Sequence, residues 1–161
     1  MEEEYDVSRN KKTDRIYLAH FERQLHHSVE KVWSMLTDNK MLSKWFSELS
    51  VEELREGGII KFDMQDGTFE ELEITELKMF SVIQITWGED SVRFELYPES
   101  EGCRLILTEK IYKMTNYTSK DLAGWHVCLE VIKALLDGIA FHSRESEWKN
   151  GIKSIFRQLR K

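Results

Sequence analysis

Apolar and polar side chains alternate through "RIYLAHFERQL", Arg15 to Leu25, and this period predicts a first strand with one face in the core. The period then changes. Beyond "HHS", Val29, Val32, Trp33 and Leu36 fall at helical spacing, with Ser28 standing where an N-cap would accept from the first turn. A shorter helix is predicted within "NKMLSKWF", followed by an extended "LSVEEL" and a break at Gly57-Gly58 that reads as a turn. Alternation returns in "IIKFDM", "TFEELEITELK", "MFSVIQITWG", "SVRFELYP" and "CRLILTEKIY", with turn signals such as "QDG" at 65–67 and "ESEG" at 99–102 between them. Parity places Ile60, Phe62 and Met64 on one face of their strand, and Val92, Phe94 and Leu96 on one face of theirs. In the last strand Cys103, Leu105, Leu107, Glu109 and Ile111 share a face, so Glu109 is a carboxylate on an otherwise apolar side. Pro98 falls at a strand end, where it removes no needed ladder bond.

Helical spacing resumes in "LAGWHVCLEVIKALL", residues 122–136, where Leu122, Trp125, Leu129, Ile132 and Leu136 form a stripe. Thr118 with Asp121 has the form of a capping box, and Gly138 is placed as the C-terminal cap. A last helix is predicted from Ser143, with Trp148, Ile152, Ile155, Phe156 and Leu159 on one face and acidic residues ahead of basic ones. A strand, two short helices, an antiparallel meander and a long helix indicate an α+β domain. A sheet of this size curls, so a helix laid across its concave face meets it unevenly. On that reading Gly124 permits a close approach of helix and sheet, and Trp125 reaches into the hollow beside it.

Composition narrows the classes. The 161 residues suit one domain, divided here into a charged tail over 1–14, a domain over 15–138 and a helical extension over 139–161. The longest apolar runs are far shorter than a membrane-spanning helix requires, so no integral membrane association is expected. The start, "MEEEYDVSRNKKTD", reads as neither a secretory signal nor a transit peptide, and a cytoplasmic location is expected. A formal charge of −6 argues against a nucleic-acid partner. Cys103 and Cys128 are too few and too far apart for a disulfide framework or a metal site, and both read as core.

Several motifs in this order resemble the START-like, or SRPBCC, helix-grip superfamily, in particular its branch of activators of the heat-shock chaperone ATPase (Aha-type). They are "FERQLHHSVEKVWSMLTD", Trp45, "GG" at 57–58, "ITW" ending at Trp87, "EGCRLILTE" at 101–109, and "GW" at 124–125 with Leu129 beyond. The resemblance runs from Arg15 to Asp137. It implies a curved antiparallel sheet wrapped around a long C-terminal helix, with two short helices after the first strand and a cavity between helix and sheet. Members hold lipids, sterols, plant hormones or polyketides there, a few cyclise polyketides, and others bind chaperones. Leu72 replaces a glycine usual in the family and would narrow the cavity. Cys103 replaces a common threonine, a neutral change.

The aromatic set Trp45, Phe62, Trp87, Phe94 and Trp125 suits the wall of an apolar pocket, although each ring taken alone reads rather as core. With Met64, Leu107, Leu129 and Ile132 they form the candidate ligand site, and Glu109 is its polar member, since a buried carboxylate needs a partner, a cavity mouth or a ligand. His20, His26, His27, His126 and His142 show no metal-ligand spacing, "EELEITE" reads as a solvated strand face, and no nucleophile or phosphate loop occurs. No catalytic residue, metal or cofactor is expected. Lys149, Lys153 and Arg157 line the last helix at i, i+4 spacing, which reads as its wet face rather than as a membrane-binding one. Its apolar stripe suits docking on this chain or on a second copy, a homodimer. The expected function is therefore the binding of a hydrophobic, lipid-, sterol- or polyketide-like small molecule without catalysis. The alternative is a chaperone-accessory or other protein-interaction module with a filled core, and a cofactor-free cyclase ranks third.

Overall fold

A computed structural model describes residues 16–139. The tail over 1–14 lies outside the described residues, as do the last helix with its stripe, its basic line and His142. Two compact units divide the chain, Met1–Lys113 and Met114–Lys161. The fold is α+β, of helix-grip type: a curved seven-stranded antiparallel sheet, two short helices after the first strand, and a long C-terminal helix.

In the first unit the strands are β1 (Tyr17–Leu25), β2 (Leu49–Val51), β3 (Ile59–Asp63), β4 (Phe69–Lys78), β5 (Val82–Trp87), β6 (Asp90–Glu99) and β7 (Gly102–Ile111), ordered β1-β7-β6-β5-β4-β3-β2. Helices α1 (Val29–Thr37) and α2 (Asn39–Leu42) follow β1. Ser28 caps α1 as its position predicts, its hydroxyl accepting from the Lys31 N–H at 3.2 Å. The predicted strand over 79–88 starts later, at Val82, because Met79–Ser81 turn the chain with the Ser81 N–H donating to the Lys78 carbonyl at 2.9 Å. The two glycines at 57–58 do form a turn: Gly57 has φ +81°, and a Cβ on Gly58 would collide with the Glu53 carbonyl oxygen.

Alternation sets the two faces of this sheet. Register puts Phe21, Leu107, Phe94 and Ile83 in one row across β1, β7, β6 and β5, and Ala19, Glu109, Val92, Ile85 and Ile74 in the next. A bulge between Ile74 and Glu76 returns Leu77 to the apolar side, opposite Ile83. Leu72, the residue expected to narrow a cavity, is buried opposite Ile60. The other face is polar: Arg93 donates to Glu76, Glu95 and Gln84 at 2.6, 2.9 and 2.8 Å. The Arg93 hydrogen bond holds the Glu76 carboxyl below its ordinary value.

The second unit carries α3 (Thr118–Leu136). The expected capping box does not form. Tyr117 is the N-cap without a side-chain cap bond, and the Thr118 hydroxyl accepts from the Thr115 N–H at 3.0 Å, which ties it to the preceding turn. The C-terminus ends as predicted, with Gly138 at φ +70°. The Gly138 N–H donates to Leu135 at 3.2 Å and the Ile139 N–H to Ala134 at 3.1 Å, the two bonds of a Schellman motif. The buried side chains of α3 include Trp125, Cys128, Leu129, Val131 and Ile132, whereas Leu122 and Leu136 of the expected stripe are half-buried. Within α3 itself, a Cβ built on Gly124 would meet nothing within 4 Å.

Candidate functional site

Trp45 lies just beyond α2, in a turn tied back to Leu42 by its N–H at 3.1 Å and by that of Phe46 at 2.8 Å. Because the last carbonyls of a helix have no partner within it, a donor arriving from elsewhere can settle the helix end. The Trp45 indole does this for α1, its Nε1–H donating to the Met35 carbonyl at 2.7 Å, and the same bond fixes the ring. The ring stands edge-on to Phe94 of β6, centroids 6.5 Å apart, and to Phe46 at 6.0 Å. Phe46 in turn meets Phe62 of β3 at 5.9 Å and Trp87 of β5 at 6.1 Å, and those two meet each other at 5.9 Å. Tilted and edge-on pairs at these distances are the favoured aromatic geometries.

The cluster therefore joins four of the candidate residues, Trp45, Phe62, Trp87 and Phe94, through a fifth ring that sequence reasoning missed. Phe46 was overlooked because neighbours in a helix point about 100° apart, whereas the chain has already left α2 and brings both rings to the sheet. The adjacency in "KWF" was the available signal. Burial is graded along the cluster: Trp45 and Phe94 are buried, and Phe46, Phe62 and Trp87 are half-buried. One end is core and the other is partly open to solvent.

Leu107 and Glu109 lie on the same apolar face, both fully buried. Glu109 is flanked across the sheet by Ala19 and Val92. Among the described residues it is the one charged side chain that is buried. Met64 lies past the end of β3, in the hairpin tip, and is 45% exposed. In the second unit Trp125, Leu129 and Ile132 share one face of α3 at i, i+4 and i+7, all buried.

Among the described histidines, His20 meets Glu22 at 3.2 Å on the polar face and His126 is exposed on α3. No group of three or more His, Cys, Asp or Glu among the described residues is placed to hold a metal ion. Cys103 is buried, and burial first, then the charge of Glu99, pushes its thiol up from 9.0, away from a reactive thiolate. No helix among the described residues is long and apolar enough to cross a membrane.

A family model described as "Activator of Hsp90 ATPase homolog 1-like protein" matches residues 26–137. No curated protein matches the sequence. Among solved structures, the chain is similar to EF2215 from Enterococcus faecalis, a conserved protein of unknown function, at 23% identity and TM-score 0.70, over 87% of this chain and 86% of that one. CalU16 from Micromonospora echinospora is similar at 17% identity and TM-score 0.61, over 92% and 90%. DynU16, a protein in the dynemicin biosynthetic locus, is similar at 18% identity and TM-score 0.64, over 74% of this chain and 47% of that one. At such identities the likeness is one of fold.

Proposed function

The chain belongs to the Activator of Hsp90 ATPase homolog 1-like family, and from that premise we propose that it binds a hydrophobic small molecule, lipid-, sterol- or polyketide-like, in the cytoplasm. The observation that carries this is the graded aromatic cluster. A ligand's apolar body would lie against the half-buried rings of Phe46, Phe62 and Trp87, of which Phe46 meets the buried Trp45, itself packed on buried Phe94. Pockets of this kind are mostly apolar, with a few polar groups that fix orientation. Glu109 is the candidate for that role, because it sets one carboxylate within a wall of aliphatic side chains. Leu107 is assigned to the same wall, Met64 to its exposed margin, and Trp125, Leu129 and Ile132 are the helical candidates.

The test is uptake of an apolar fluorescent dye by the folded full chain, compared with a Phe46→Ser variant. The reading expects saturable enhancement in the parent protein and its loss in a variant that still melts cooperatively. Equal uptake by both, or none by the parent, removes the support.

A second reading has its own observation. The five rings already contact one another at 5.9–6.5 Å, as they would in a filled core. A chaperone-accessory module, in keeping with the family's description, would need no more than that and would work through its surface. Such a protein takes up no dye while folded.

A further inference from the structure

Away from the aromatic cluster, the N-terminus of α1, the β4–β5 turn and the β6–β7 hairpin enclose an open trough of about 700 Å³ in the first unit. We propose that this trough binds a cationic peptide segment of another protein through one large apolar side chain flanked by Lys or Arg. The proposal is independent of the small-molecule reading, since none of the five rings lines the trough.

The turn between β4 and β5 carries the main argument. Met79 and Phe80 occupy its two central positions, and Phe80 has φ +65°. A β-turn with positive φ at its third residue favours glycine or asparagine there, because a Cβ is strained in that region. The sequence keeps a bulky aromatic side chain at a position where glycine would be relaxed. Strain held at one residue motivates a search for what its side chain does. Here the ring leans on buried Trp33 of α1, centroids 6.1 Å apart, and closes one wall of the trough while remaining 44% exposed. Met79 beside it is 59% exposed, and Pro98 on the hairpin adds a third accessible apolar group. Three such groups converging from two turns form a floor for an apolar anchor.

Among the lining residues, which also include His26 and His27, the charges of Asp, Glu, Lys and Arg side chains have one sign. Glu30, Glu99 and Glu101 line the trough, and none of the described residues lining it is Lys or Arg. Glu99 shares its charge with Arg104 at 3.5 Å and accepts from Gln24 at 2.8 Å. The local field therefore rests on the exposed Glu30 and Glu101. An acidic rim around an apolar floor complements a basic segment with a bulky anchor. Openness decides between a peptide and a small molecule. A small ligand needs most of its surface enclosed, whereas an extended segment can lie across a trough and insert one side chain.

The probe is the blocked peptide Lys-Lys-Trp-Lys-Lys, titrated into the isotope-labelled full chain and followed by amide NMR shifts. Expected are saturable shifts centred on Met79, Phe80, Glu30 and Gly102, weakened by salt. The pair Glu30→Gln with Glu101→Gln should weaken binding by about five-fold. Phe80→Gly, which relaxes the turn and so keeps the fold, should abolish the shifts. Absence of shifts at millimolar peptide overturns the proposal, as does equal binding by Glu-Glu-Trp-Glu-Glu or by Lys-Lys-Ala-Lys-Lys. Shifts at these residues from dodecyltrimethylammonium but not from the peptide would reassign the trough to a small cationic amphiphile. Dye uptake by the Phe80→Gly variant should stay at the parent level, which separates failure here from failure of the small-molecule reading.

Discussion

Replacing Trp45 with phenylalanine probes the joint between α1 and the aromatic cluster. The substitution keeps a ring near Phe94 and Phe46 but removes the Nε1–H that donates to the Met35 carbonyl at 2.7 Å. Leaving that helix-end carbonyl buried without its donor costs about 1–2 kcal/mol. The smaller ring also opens a gap at a site that is 3% exposed, and the lost contact and residual cavity add about 1–2 kcal/mol. Trp45→Phe should therefore destabilise the protein by about 2–4 kcal/mol, a fall in Tm on the order of 10 °C for a chain of this size. Urea denaturation followed by far-ultraviolet circular dichroism gives the value without relying on the fluorophore that has been removed, and an unchanged m-value would show that the unfolded reference is the same. Phe46→Leu, at the half-buried end, should cost only about 1 kcal/mol by the same assay. A loss below about 1 kcal/mol for Trp45→Phe, or a larger loss for Phe46→Leu, would refute the assignment of Trp45 as the buried anchor.

Three further outcomes are expected. Gly102→Ala should cost about 2 kcal/mol or more in a thermal melt, because Gly102 has φ +142° and a Cβ there would collide with the Leu25 carbonyl oxygen; a neutral result would contradict that packing. Glu76 has a carboxyl held below its ordinary 4.5 by the Arg93 hydrogen bond, so it adds stability above that pH and loses it as pH falls through the lowered value. The stability gap between the parent protein and Glu76→Gln should thus be present at neutral pH and vanish in acid, and a gap that widens in acid would reverse the sign. Cys103 should resist alkylation by iodoacetamide at pH 8 until urea unfolds the protein, and prompt labelling in the folded state would show that its thiol is accessible.

The strands were legible because a sheet with one buried face writes its period into the sequence. Cys103, Leu105, Leu107, Glu109 and Ile111 were placed on one side by parity, and all five are buried there. The bulge in β4 also left a trace, in the spacing of Leu72, Ile74 and Leu77, where strict alternation would have put an apolar residue at position 76. Capping was read unevenly. Ser28 and Gly138 act as their local chemistry suggests, while Thr118 satisfies a neighbouring N–H in the preceding turn, a competition that a short-range motif does not reveal. In the candidate site, strand rings could be sorted by parity, but Phe46 lies in irregular chain with no period to sort it by. Phe80 escaped notice for a related reason: "MFSVIQITWG" reads as one extended apolar-rich segment, and the left-handed turn at its start follows from tertiary pairing.

The central claim is that the aromatic cluster holds a hydrophobic small molecule. Native mass spectrometry of the full chain, purified from its own host without detergent, tests it most directly. The account predicts a co-purifying apolar species, released under mild activation and absent from a folded Phe46→Ser variant. A parent protein that flies without added mass and takes up no apolar ligand on incubation, while remaining cooperatively folded, would contradict it.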